Sequence, residues 1–356
     1  MKNKESLKDC ITYLQSIEKE NLELNESAIF SVYESRDNQS LAIKVLSVFG
    51  GIMASLAFLG FLGLAGLFES DTALLIFGML CIAAAIGINK KYDKIIFDTF
   101  SVSFYLIGFI ILAFSLSKMG ANENTISGIF ILLSFLSLSI VHSYILSFIS
   151  VLIINGSILM LVFSNRIYEL MYLYSILLAL LLTYIFLKEA KIISTKKALS
   201  RLYNPIRIGL IFSFLAALIS ISKKGIMPIS TQYMVLSSVF IIAIIIYTIS
   251  PILEILNVNK TTQKTAIYAF STLLLLPTAA FPALSGGILI IMLSFRANYK
   301  TAFVIGIIAF LYAISQYYYD LHFTLLSKSI LLLISGILFI ILYLITKQKL
   351  TSNEKI

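Results

Sequence analysis

The sequence has no tryptophan, two histidines, two cysteines and five prolines in 356 residues, and only 13% of it is charged. Each shortage excludes something. His142 and His322, with no Cys–His cluster, leave no ligand set for a structural or catalytic zinc ion. Cys10 sits in a polar segment and Cys81 in an apolar run, so no disulfide framework is expected. The metalloprotease pattern His-Glu-x-x-His is missing. Tyr319-Asp320 is present, but the Gly-x-Gly-Asp that an intramembrane aspartyl protease also needs is absent. Ser285-Gly286 lacks the preceding glycine of a serine nucleophile elbow. Nothing here points to a catalytic residue, a metal or a cofactor.

The shortage of charge decides the class. The chain is 59% hydrophobic, whereas a soluble domain is about 45–50% apolar and about 25% charged. In water such a chain would expose large sticky patches. Lipid as the solvent removes that difficulty. The expected fold is all-α, a polytopic integral membrane bundle of about 11–12 transmembrane segments at about 20 residues per span. The net charge of +9 does not signal nucleic acid. The basic residues stand in short clusters between apolar runs, where they act as topology determinants and the partner is the bilayer.

Residues 1–40 form a polar segment in which Leu7, Cys10, Ile11, Leu14 and Ile17 recur at helical spacing. This reads as an amphipathic helix, lying on the protein's own cytoplasmic face or docking a partner. Residues 41–346 form the transmembrane domain, with candidate halves 41–187 and 206–346 joined by the basic loop 188–205, and 347–356 form a tail. No sequence repeat relates the halves, so a duplicated-transporter architecture has no support. Two regions, 126–163 and 265–295, are short for two full spans each. The second reads either as a re-entrant hairpin or as one span with a broken helix.

That second region holds one candidate site. Pro277 to Gly287 reads PTAAFPALSGG, and Pro277, Pro282, Ser285, Gly286 and Gly287 together predict a helix break. Irregular backbone at membrane depth is tolerated only where protein or a water cavity covers it. The break is therefore either a tight hairpin at the outer surface or a binding site of the kind transporters build. A second candidate is the polar cluster of Tyr319, Asp320, Thr324 and Lys328. A turn through Leu321, His322 and Phe323 would bring Asp320 over the start of the last helix, where it would pair with Lys328 and fix the hairpin. Tyr317, Tyr318 and Tyr319 supply the interfacial aromatics that tryptophan does not.

The C-terminal quarter carries a denser pattern. Pro282 runs through Phe295-Arg296 to Gly306, followed by Tyr317-Tyr318-Tyr319-Asp320-Leu321, Thr324-Leu325-Leu326, Lys328-Ser329 and Ser335-Gly336. Together these resemble the bacterial membrane family called domain of unknown function 4401, most closely over residues 282–336. The polar N-terminal segment followed by many apolar spans is similar to that family's layout. The resemblance implies a bacterial inner-membrane protein. It also implies companions: a related multi-span protein of unknown function and a small membrane protein named for a Gly-Asp-Tyr motif. It implies no reaction, substrate or cofactor.

The expected role is thus a non-catalytic scaffold or subunit of a membrane complex. The alternative is a transporter or channel for a small solute or lipid. All basic residues except Lys118, Arg166, Lys223, Lys224 and Lys328 fall on one side of a twelve-span arrangement. The positive-inside rule then puts both termini in the cytoplasm. Reporter fusions after Ser40 and after Ile356 are expected to report cytoplasm, and an extracytoplasmic C-terminus would refute the even span count.

Overall fold

The computed structural model describes residues 41–320, apart from 65, 67–68, 92–94, 142, 196, 224–230 and 256–260, and single positions at 326, 330, 333, 337 and 340. The N-terminal segment 1–40 and the tail 347–356 lie outside the described residues. Contacts divide the chain into two units, Met1–Gly60 and Phe61–Ile356. Helix α1, Leu41–Leu64, supplies the described part of the first unit and the start of the second.

The fold is all-α. The second unit continues with α2 (Asp71–Lys91), α3 (Ile95–Lys118), α4 (Glu123–Ile140), α5 (Tyr144–Ser164), α6 (Leu170–Leu187), the short α7 (Glu189–Thr195) and α8 (Lys197–Ser222). Then come α9 (Thr231–Ile255), α10 (Thr261–Leu275), a 3-10 turn at Leu276–Ala280, α11 (Pro282–Arg296) and α12 (Lys300–Asp320). Among the described residues, eight of these helices are long and apolar enough to cross a membrane. The chain is a polytopic membrane bundle of helices, the one open architecture that satisfies every backbone group within its own segment.

The two regions that looked short resolve differently. Residues 126–163 lie in two full helices, α4 of 18 residues and α5 of 21. The 265–295 region does not. There α10 and α11 have only 15 residues each, and 15 residues rise about 22 Å, less than a hydrocarbon core of about 30 Å.

Neighbouring helices run antiparallel, as side chains at their ends show. Lys118 at the end of α3 lies 3.5 Å from Asp71 at the start of α2. Asn124 and Asn165 exchange two amide hydrogen bonds of 2.9 Å between the start of α4 and the end of α5. One end of the bundle therefore gathers Lys90, Lys91, Tyr144, Lys188, Lys191, Arg296 and Lys300, and is called the basic end below.

Three helix ends share one device. The backbone crosses into the left-handed region at Gly120, Arg166 and Asn298, with φ of 78°, 57° and 49°. The next amide then reaches back across the last turn, from Ala121 to Leu116, Ile167 to Val162 and Tyr299 to Ser294. These are Schellman ends, which satisfy carbonyls that the helix leaves free.

Two cores result. One joins α2, α3, α4 and the start of α5 around Tyr105, Phe109, Leu112 and Leu146. The larger joins α5, α6, α8, α9, α11 and α12 around Phe214, Leu218, Ile241 and Leu289. Helix α5 belongs to both. In the first core α2 and α3 touch backbone to backbone. A Cβ at Gly108 would lie 2.9 Å from the Gly78 oxygen and 3.0 Å from the Ile82 nitrogen. Those backbone atoms cannot swing aside. Gly108→Ala is expected to cost about 1–3 kcal/mol through overpacking, read as a lowered unfolding temperature in detergent. Gly128→Ala, where a Cβ meets nothing within 4 Å, should be close to neutral.

Candidate functional site

Helix α11 is the shortest of the apolar helices and the most enclosed. It packs against α6, α8, α9 and α12. Every residue from Pro282 to Gly287 is buried, as are Leu289, Ile290, Leu293 and Ser294. Its start is built by the proline-rich stretch before it. The 3-10 turn ends at Phe281, which is extended at φ −143° and ψ 97°, and Pro282 opens the helix where its missing N–H costs nothing. The next amide is not left free. Ala283 N–H donates to the Ser222 hydroxyl at the end of α8, at 3.2 Å.

The two glycines lie inside the helix, not in the break. They let neighbours come close. A Cβ at Gly286 would fall 2.2 Å from Leu218 Cδ1 of α8, and one at Gly287 would fall 3.2 Å from the Phe310 Cα of α12. Gly306 returns the favour from α12, where a Cβ would lie 2.9 Å from Ile291 Cγ1. Ser285 is fully buried and turns its hydroxyl back onto the Pro282 carbonyl at 3.1 Å. Side chains of α8 and α12 thus occupy the glycine faces of α11.

At the basic end, α11 helps to enclose a charge. Arg207 of α8 is 3% exposed. Its Nη2 donates to Asn204 Oδ1 at 2.7 Å, and its Nη1 to Glu189 Oε1 at 3.3 Å and the Tyr203 hydroxyl at 3.4 Å. Tyr203 in turn donates to the Ile185 carbonyl of α6 at 3.1 Å. The guanidinium lies over Tyr299 at 3.6 Å from the ring centroid, with Tyr203 at 4.8 Å and Phe186 at 5.3 Å. Tyr299 stands there because the left-handed turn at Asn298 reverses the chain after α11. A guanidinium is weakly hydrated and stacks well, so arginine suits a box of aromatic rings where lysine would not. The box ties α6, α7, α8 and the α11–α12 turn together.

The chain matches, over residues 40–349, the family described as Domain of unknown function (DUF4401). It belongs to that family. No curated protein and no solved structure matches it.

In this DUF4401 chain the expected site residues are placed as follows. Pro277 lies in the 3-10 turn and Pro282 at the first position of α11, while Ser285, Gly286 and Gly287 lie in its first two turns. Tyr319 is 76% exposed near the end of α12, its ring edge-on to Tyr318 at 6.0 Å between centroids. Asp320 is the last residue of α12. Thr324 and Lys328 lie outside the described residues.

Sequence reasoning missed Arg207. The expected loop 188–205 leaves Arg207 just beyond it, as one more cation that sets topology. The helix instead runs unbroken from Lys197 to Ser222 with Pro205 inside it. A signal was available: Tyr203, Arg207, Ile211, Phe214 and Leu218 recur on one helical face, and all five are buried. Arg207→Lys loses the planar fork and the stacking. It is expected to cost about 1–3 kcal/mol, read as thermal unfolding in detergent. Glu189→Gln should cost under about 1 kcal/mol, because the Glu189 side chain is 34% exposed and solvent screens the pair.

Proposed function

We propose that this DUF4401 protein is a non-catalytic scaffold or subunit of a membrane complex. The observation that carries this reading is the close packing of α11, the helix that follows the break. A transporter places its site where a helix is interrupted at membrane depth, and lines it with groups that await a ligand. Here Ser222 caps the amide of Ala283 and Leu218 and Phe310 occupy the glycine faces. Other buried polar groups from different helices meet as closed pairs in the seams. Ser175 meets Ser237 at 2.8 Å, Tyr174 meets Asn155 at 2.6 Å, and Tyr105 meets Ser150 at 2.8 Å. In this reading the protein sits in a bacterial inner membrane with cytoplasmic termini, and its partners are other multi-span membrane proteins.

The test uses the full chain in its native membrane. Extraction in a mild detergent and native electrophoresis should find it in a larger species with stoichiometric membrane partners. A chain that migrates alone, and that accelerates the flux of a small solute when reconstituted into vesicles, would overturn the reading in favour of transport.

A further inference from the structure

The α4–α5 hairpin is held by serines. Helix α4 is buried at only three positions among its 18 residues, and all three are serine: Ser127, Ser134 and Ser137. On α5 the buried serines are Ser147, Ser150 and Ser157. The spacings mirror each other, seven then three on α4 and three then seven on α5. Ser137 stands three residues before the end of α4 and Ser147 three residues after the start of α5. Each is therefore about 4.5 Å into its helix, so the two lie at one depth and Ser134 is level with Ser150.

Four hydroxyls near the basic end of this seam are buried with no hydrogen-bond partner among the described residues: Ser134, Ser137, Ser143 and Ser147. This is unusual on two grounds. A buried hydroxyl without a partner costs about 1–3 kcal/mol, so four together are a heavy burden on one hairpin. Serines elsewhere in the bundle avoid it by turning back onto the carbonyl four residues earlier, as Ser213 does on Gly209 and Ser220 on Ala216. In the seam Ser137 and Ser147 are both buried at one depth on adjacent helices, without such a bond. Groups that oppose each other beyond direct hydrogen-bond reach are joined by a molecule that donates and accepts at once.

We propose that the basic-end half of the α4–α5 seam is an internal hydration site, in which water bridges the hydroxyls of Ser134, Ser137, Ser143 and Ser147. No charged side chain takes part, so the ligand chemistry is neutral. The site adds a polar attachment for α4 beside the partly buried Ile126, Ile129, Phe130 and Leu133, which pack on the first core.

Radiolytic hydroxyl-radical labelling tests this on the full chain in detergent, because bound water generates radicals in place. Val141 and Leu146 flank the seam and are 1% and 0% exposed, while Leu178 and Leu182, at 1% and 0%, lie in the larger apolar core and serve as references. Leu146 and Val141 should be oxidised several-fold faster than Leu178 and Leu182. Replacing Ser137 and Ser147 together by alanine should bring the rate at Leu146 down to that of Leu178. Equal rates in the unsubstituted protein, or a fast rate that survives the double substitution, overturn the proposal. The comparison within the unsubstituted protein decides the matter even if the double variant fails to fold.

Discussion

Helices in lipid gain little by burying apolar surface against one another, because the tails they displace are equally apolar. The structure therefore depends on close backbone approach, which only small residues permit. Gly78 and Gly108 bring α2 onto α3. Gly209 brings α8 onto α5, where a Cβ would lie 2.7 Å from Val151 Cγ1. Gly286, Gly287 and Gly306 seat α11 between α8 and α12. Remove these approaches and the dispersion contacts between the helices go with them.

Polar side chains then set register on helices already brought close. Interhelical hydrogen bonds in membrane proteins average about 0.6 kcal/mol, too little to drive association but enough to choose one rotation over another. Ser175 with Ser237 orients α6 and α9, and Tyr174 with Asn155 orients α6 and α5. The Arg207 box acts at the basic end in the same sense, joining the consecutive α6, α7 and α8 to the distant α11–α12 turn. Its charge is enclosed but not isolated, which is the condition under which a buried arginine is tolerable.

These features bear on function by what they leave no room for. The most irregular stretch of the sequence divides in two: its 3-10 turn has no buried residue, and its helical part is buried from Pro282 to Gly287. Its prolines build the start of α11, and its glycines are contact surfaces. Several polar groups of the spans pair across helices, as Ser175 does with Ser237 and Tyr174 with Asn155.

The sequence by itself determined the class and nearly all the segments. Long apolar runs with charges only between them admit no soluble fold, and lipid admits only helices or closed barrels for them. The run from Tyr317 to Ser329 was enough to resemble the DUF4401 family. The tertiary structure decided what composition could not. The expected loop 188–205 is largely helical, with Pro205 inside α8, because packing overrides a local propensity in a helix with neighbours on several sides. Gly286 and Gly287 read as a turn, yet they are helical, because a glycine's freedom and its smallness leave the same mark in a sequence and only a neighbour at 2–3 Å tells them apart. The arginine box needed Tyr299, Phe186 and Glu189 to meet Arg207 from three other elements, and such a meeting is a property of the fold rather than of any stretch of chain.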